Sequence, residues 1–285
     1  MSKLLVASAL FFMCGCTTWF FQPTKVDYTA GWEQRSTYLK QNAFFLSQSG
    51  NQLNYWVFPS KKNAPPKAIV LQFHGNAQNI SSHFASLGWV VDFGYEFMTF
   101  DYSGYGSSEG KANIKNALLD IKSAIEFART EAKNKKVPLI LYSQSLGGAL
   151  LLKALRDEQK VENICALFVE SSFYSLPKIA QSIASRVWLL WPIQWVPLLT
   201  ISNKYNPTGE GIESLNSIPK FILHAKKDPV IPYQHGKKLF EKLEGTKEFW
   251  EYEVGHISFW LRKENQEKLI RTLDLNSKKC NLKEI

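Results

Sequence analysis

Cysteine is scarce in this chain of 285 residues, and of its four copies two, Cys14 and Cys16, fall in an N-terminal leader. That leaves Cys165 and Cys280, too few for a disulfide framework. Cys165 sits in a strand-like run and reads as a small buried hydrophobe, while Cys280 reads as part of a polar tail. Zinc-ligand spacing and a glycine-rich phosphate loop are both missing, so neither a metal nor an organic cofactor is implied. The formal net charge is +9, but the lysines are scattered and no basic stripe alternates with aromatics. That argues against nucleic acid and for a solvated basic surface. There are no internal repeats and no low-complexity tracts.

What is present suits one large α/β domain, since 45% of the residues are hydrophobic and the length permits a full core. The first residues read as a processing signal rather than as fold. Lys3 gives a positive start, residues 4–12 form a short apolar run, and Met13-Cys14-Gly15-Cys16 follows. The run is shorter than the roughly 20 residues a transmembrane helix needs. Its ending resembles the lipobox of bacterial lipoproteins, which implies a signal over 1–16 and a mature chain starting at a lipidated Cys16. The expected location is then the bacterial cell envelope, at the outer membrane or a periplasmic face. An ordinary secretory signal cut nearby is the plainer alternative.

Residues 17–42 read as a tether and irregular lead-in. An aromatic hairpin is expected over 43–58, turning at Ser49-Gly50-Asn51. Buried-type strands are expected over 68–73, 96–101, 138–143, 164–169, 220–224 and 248–254. Helical spacing covers 81–93, 114–133, the segment from Ala149, 234–243 and 259–273, with a polar tail over 276–285. Apolar strands alternating with helices imply a mostly parallel sheet covered on both faces, with the hairpin as an antiparallel edge. In such sheets ligands bind beyond the carboxyl ends of the strands. His74-Gly75-Asn76, Asp101, Ser145, Glu170, Asp228 and His256 all fall at such ends.

Ser143-Gln-Ser145-Leu-Gly147-Gly148 follows the strand that begins at Pro138 and leads straight into helical spacing. This is the pattern of a nucleophile elbow, with serine at the first position where glycine is usual. A serine nucleophile needs a base, and the base needs an acid to hold its tautomer. In chain order Ser145, Asp228 and His256 can fill these roles. Glu170 also follows a strand and is a rival acid. The oxyanion donors expected are the amide of Leu146, next to the nucleophile, and that of Asn76, after an earlier strand. His74 would shape that turn, His224 would be buried, and His83 and His235 would lie on exposed helical segments.

Together with Phe100-Asp-Tyr-Ser-Gly-Tyr-Gly-Ser-Ser-Glu-Gly110, Glu170-Ser-Ser-Phe173 and Ala225-Lys-Lys-Asp228-Pro-Val-Ile-Pro232, these motifs resemble the α/β-hydrolase superfamily. The closest likeness is to its compact serine-aminopeptidase-like and depalmitoylase-like branch, over roughly residues 43–275. The resemblance implies a Ser145–His256–Asp228 triad, an acyl-enzyme, and a carboxylester or thioester substrate that is a small molecule or a lipid. A peptidase on the same triad and a non-catalytic binding lipoprotein are the alternatives. It also implies a cap inserted at about 175–217, where Trp188, Trp191 and Trp195 cluster with Pro192 and Pro197. The cap would either be a lid above Ser145 that accommodates a lipid or acyl chain or pack its own aromatics against the sheet. The membrane would be a partner through the lipid anchor, and the oligomeric state is not readable.

Overall fold

The computed structural model describes residues 20–29, 40–62, 64–158, 161–253 and 255–281. The leader with Cys16 and the expected lipobox lies outside them. Strands β1 (Gln22–Pro23), β2 (Gln41–Leu46), β3 (Gln52–Phe58), β4 (Ile69–Phe73), β5 (Ala77–Gln78), β6 (Glu96–Phe100), β7 (Leu139–Gln144), β8 (Ile164–Glu170), β9 (Lys220–Ala225) and β10 (Lys247–Tyr252) alternate with helices. Eight of them form one sheet in the order β10-β9-β8-β7-β4-β6-β3-β2. Pairing is parallel from β10 through β6, and β3 and β2 add the antiparallel hairpin at one edge.

Alternation along each strand divides the core between two faces. Ile69, Leu71 and Phe73 of β4 pack with α2 (Ile114–Lys135) and α3 (Leu146–Glu158), whereas Val70 joins the opposite cluster. That cluster takes Ile80 from α1 (Ile80–His83) and Leu269, Ile270 and Leu273 from the C-terminal helix α7 (Lys263–Asn281). Helix α2 starts where the Asn113 side chain accepts the Asn116 amide and ends at Lys136, whose φ of 55° stops the helix. No helix among the described residues is long and apolar enough to cross a membrane.

Four expectations need correcting. The helix expected over 81–93 is the single turn of α1 followed by 3₁₀ turns at Phe84–Ser86 and Gly88–Phe93. The lead-in is not wholly irregular, because β1 pairs with β5 and Phe21 is buried. A two-residue strand carries no readable periodicity. The polar tail is helical through Asn281, with Asn276 and Ser277 buried. Finally, Cys165 and Cys280 are joined in a disulfide, with Cα atoms 5.7 Å apart, that ties the end of α7 to the start of β8. A link across 115 residues of sequence depends on tertiary packing, which no local pattern reveals.

This link closes a long loop, so its loss enlarges the unfolded ensemble more than it disturbs the native state. Cys280→Ser is expected to lower stability by about 2–4 kcal/mol. Chemical denaturation with and without reductant checks this: the variant should match the reduced wild type, and reductant should not change it further.

Candidate active site

Ser145 occupies the single residue between β7 and α3, with φ of 53°, a left-handed conformation that a side-chain-bearing residue adopts only under constraint. The constraint is visible. The Ser145 amide donates to the Glu170 carbonyl at 2.9 Å, and the Ser172 hydroxyl donates to the Ser145 carbonyl at 2.8 Å. Gly147 must lack a side chain, since a Cβ there would stand 2.4 Å from the His74 carbonyl oxygen and 2.5 Å from that of Phe73. Ser143, where glycine is usual, is buried and donates to the Phe168 carbonyl at 2.9 Å, so its hydroxyl is satisfied inside the sheet.

Asp228 and His256 follow the neighbouring strands β9 and β10. His256 Nδ1 lies 2.8 Å from Asp228 Oδ2 and 3.1 Å from Oδ1. A carboxylate only accepts, so Nδ1 carries the proton and Nε2 is left as the basic nitrogen. Asp228 Oδ1 also accepts the amides of Val230 (2.8 Å) and Ile231 (2.9 Å). Burial alone would raise this carboxyl, but the hydrogen bond and charge of His256 and the two amides outweigh it and hold it below the usual range. Among the described residues the Ser145 hydroxyl makes no hydrogen bond to His256. Contacts of this kind often tighten only around a substrate.

Glu170 is not the partner of the imidazole. Its buried carboxylate accepts from Tyr142 Oη (2.9 Å) and Gln144 Nε2 (2.8 Å) on one oxygen, and from Tyr252 Oη (3.1 Å) and the Phe259 amide (2.9 Å) on the other. Burial, and then the carboxylate itself, raise both phenols well above their ordinary value, so both remain donors. Glu170 thus ties the end of β7, just before Ser145, to the loop that follows His256. The Ser171 hydroxyl adds a bond to the Tyr252 phenol at 2.9 Å. Sequence placed Glu170 at a strand end but could not show which way its carboxylate is engaged.

Both peptides flanking Asn76 are pinned. His74 Nδ1 lies 2.8 Å from the Gly75 carbonyl, and a trans peptide then turns the Asn76 amide to the opposite side. The Asn76 carbonyl accepts from the Gln22 amide at 2.8 Å and from Tyr105 Oη at 2.6 Å. Segment 20–29 thereby straps the loop, helped by Asn79 Nδ2 bonds to the Thr24 (3.0 Å) and Val26 (2.7 Å) carbonyls. Tyr105 lies in the quoted glycine-rich motif, which gave it no role, and the strap was marked by no motif. Leu146 is the first residue of α3, where helix amides lack intrahelical partners.

The remaining histidines divide differently from expectation. His224 is buried as expected, with Nε2 3.0 Å from the Ile231 carbonyl. His235 is buried too and pairs with Ser182 at 3.2 Å, while His83 is half-buried with Nε2 2.9 Å from the Ala77 carbonyl. Ser182 and the Tyr174 ring lie against His235, which hides a position that looked exposed. Burial, and then the positive charge of a neighbouring histidine, push His235 down to about 4 and His83 down to about 3.

Between those values and about 6.5 the unfolded chain binds protons that the native state refuses. The stability held by these groups is therefore complete above pH 6.5 and falls as pH drops toward 4. Asp228, depressed in the native state, loses its contribution lower still, as pH falls through its folded value. Urea denaturation at pH 7.5, 6.0 and 5.0 should show a progressive loss amounting to a few kcal/mol, and a flat profile would contradict it.

A parallel sheet covered on both faces, with a left-handed serine between strand and helix and an acid–imidazole pair on adjoining strand ends, has the architecture of an α/β-hydrolase. The chain belongs to the serine aminopeptidase S33 family of such hydrolases, which it matches over residues 64–210, just over half its length. That span includes Asn76, Ser145 and Leu146 and stops before Asp228 and His256. Among curated relatives, the protein YfhR of Escherichia coli K12 is 33% identical over 200 residues, covering 69% of this chain and 66% of that protein. The lysophosphatidylserine lipase ABHD12 of Mus musculus is 30% identical over 206 residues, covering 67% of this chain and 49% of that protein. The chain thus spans about half of one of these relatives and about two thirds of the other. Among solved structures, an α/β-hydrolase from Vibrio vulnificus superposes with a TM-score of 0.70 at 14% identity over 88% of each chain. An esterase from Pyrococcus furiosus does so with a TM-score of 0.65 at 16% identity, over 89% of this chain and 96% of its own.

Proposed function

We infer that this protein is a serine esterase or thioesterase acting on substrates with an apolar acyl part, through Ser145, His256 and Asp228. The observation that carries the reading is His256 held on the buried Asp228 carboxylate, at the same sheet end as a serine held at φ of 53°. His256 Nε2 takes the Ser145 proton as Oγ attacks the acyl carbonyl, and the amides of Asn76 and Leu146 stabilise the oxyanion. The imidazolium then protonates the leaving alcohol or thiol. Water, deprotonated by His256, attacks the acyl-enzyme and releases the acid, restoring Ser145. An esterase and a lipase among the similar proteins favour acyl esters over peptides. Lipidation of Cys16 would hold the enzyme at the cell envelope, and incorporation of radiolabelled palmitate that disappears in Cys16→Ser tests this.

Labelling by a fluorophosphonate probe, with acyl esters, acyl thioesters and aminoacyl arylamides assayed side by side, tests the function. Labelling with ester or thioester turnover is the expected result. Arylamide turnover alone would make the enzyme a peptidase. Absence of labelling in the folded protein would leave a binding protein on a hydrolase fold. The pinning of Asn76 gives a finer prediction: Tyr105→Phe should lower kcat roughly three- to tenfold with KM little changed, because the donor it orients acts on charge that develops in the transition state.

A further inference from the structure

From Ser171 to Gly209 the chain contains no aspartate or glutamate, and its only charged residues there are Lys178, Arg186 and Lys204, all exposed. Within this stretch residues 187–200 follow a nearly continuous helical path. The Trp191 amide bonds the Val187 carbonyl at 3.0 Å, Ile193 bonds Leu190 at 3.0 Å, and Leu198 bonds Trp195 at 3.0 Å, leading into α5 (Val196–Thr200). Trp188, Trp191, Trp195 and Leu199 stand at i, i+3, i+7 and i+11 on that path, which places them on one face. Their exposures are 83%, 61%, 59% and 86%. This stripe neither lines an enclosed acyl site nor packs against the sheet, so neither expectation for the cap accounts for it.

We propose that the Trp188–Trp191–Trp195–Leu199 stripe docks the cap on the surface of an anionic phospholipid bilayer. Indole rings favour the boundary between headgroups and acyl chains, where an apolar body meets a polar N–H. An exposed aromatic face on a stretch that carries cations and no carboxylate of its own suits a negatively charged lipid surface better than a protein partner of mixed charge. The face is also joined to the candidate site. Arg186 Nη1 donates to the carbonyls of Pro229 (2.8 Å) and Val230 (3.2 Å), in the loop that carries Asp228, and the Val230 side chain is itself exposed. Docking through the stripe therefore fixes the acid loop relative to the lipid surface. The proposal deepens the acyl-hydrolase reading, but it is read by binding, so either can fail without the other.

The test uses the full chain as Cys16→Ser, which carries no lipid anchor, and the same chain with Trp188→Ala/Trp191→Ala/Trp195→Ala, incubated with vesicles of phosphatidylglycerol and phosphatidylethanolamine or of phosphatidylcholine alone. The parent should partition onto the anionic vesicles, roughly fivefold less for each of Lys178 and Lys204 replaced by glutamine. Brominated acyl chains should quench its tryptophan fluorescence. The triple variant should lose on the order of tenfold in partition and most of the quenching, while still hydrolysing a soluble short-chain ester if the parent does. Leu199→Glu, a single exposed change, should weaken partition in the same direction should the triple variant fold poorly. Equal partition and quenching in parent and variants would overturn the proposal. So would light scattering that shows a parent dimer made monomeric by the triple variant, since the stripe would then be a contact between copies.

Discussion

Ser145→Ala is expected to abolish ester hydrolysis and fluorophosphonate labelling together, lowering kcat by on the order of 10⁴-fold or more while leaving the fold intact. The fold should survive because the turn is held by backbone groups: the Ser145 amide on Glu170, the Ser145 carbonyl under Ser172, and the close approach of Gly147 to β4. His256→Ala should cost a similar factor, because the hydroxyl without its base is barely nucleophilic at neutral pH. The double variant should then be no worse than either single one, since the two groups perform one step. Additive losses would mean that serine and histidine act separately, and labelling that persists in Ser145→Ala would place the nucleophile elsewhere. Asp228→Asn should fall less far than either, because it leaves the imidazole in place with the wrong tautomer.

The positions of these residues at strand ends were legible in the sequence because each sits next to a local pattern. Ser145 lies between a buried strand and a helix, while Asp228 and His256 follow runs of strand length. The left-handed conformation at Ser145 follows from the same local geometry. What was not legible depends on which distant groups meet. The Cys165–Cys280 link joins a buried strand to a segment whose composition is that of a solvated tail. The strap over Asn76 rests on two residues of strand, below any periodicity. The Trp-rich stretch over residues 187–199 shows the ambiguity most plainly, since a run of Trp, Leu and Pro reads the same whether its side chains face the core or the solvent. Only the helical path through residues 187–200 decides that the tryptophans share one exposed face.

Glu170, the rival acid in the sequence, carries a larger structural effect than that role would suggest. With the carboxylate at 0% exposure and four donors upon it, Glu170→Ala should destabilise the protein by roughly 4 kcal/mol or more, because the phenols of Tyr142 and Tyr252, the Gln144 amide and the Phe259 N–H all lose their acceptor inside the core. Glu170→Gln keeps the shape but brings an NH₂ group against two of those donors, so it should recover only part of the loss. Catalysis should suffer as well. The same carboxylate spans the end of β7 and the loop after His256, and when it is lost the serine and the imidazole are no longer held in a common frame. A misplacement of about 1 Å can cost on the order of 100-fold in rate. If Glu170 were instead the acid of the triad, Glu170→Gln would depress kcat as strongly as Asp228→Asn, with little change in stability. The two roles therefore separate on one plot of kcat against unfolding free energy. A positioning role puts Glu170→Gln low in stability and modestly low in rate, whereas Asp228→Asn loses less stability and drops far in rate.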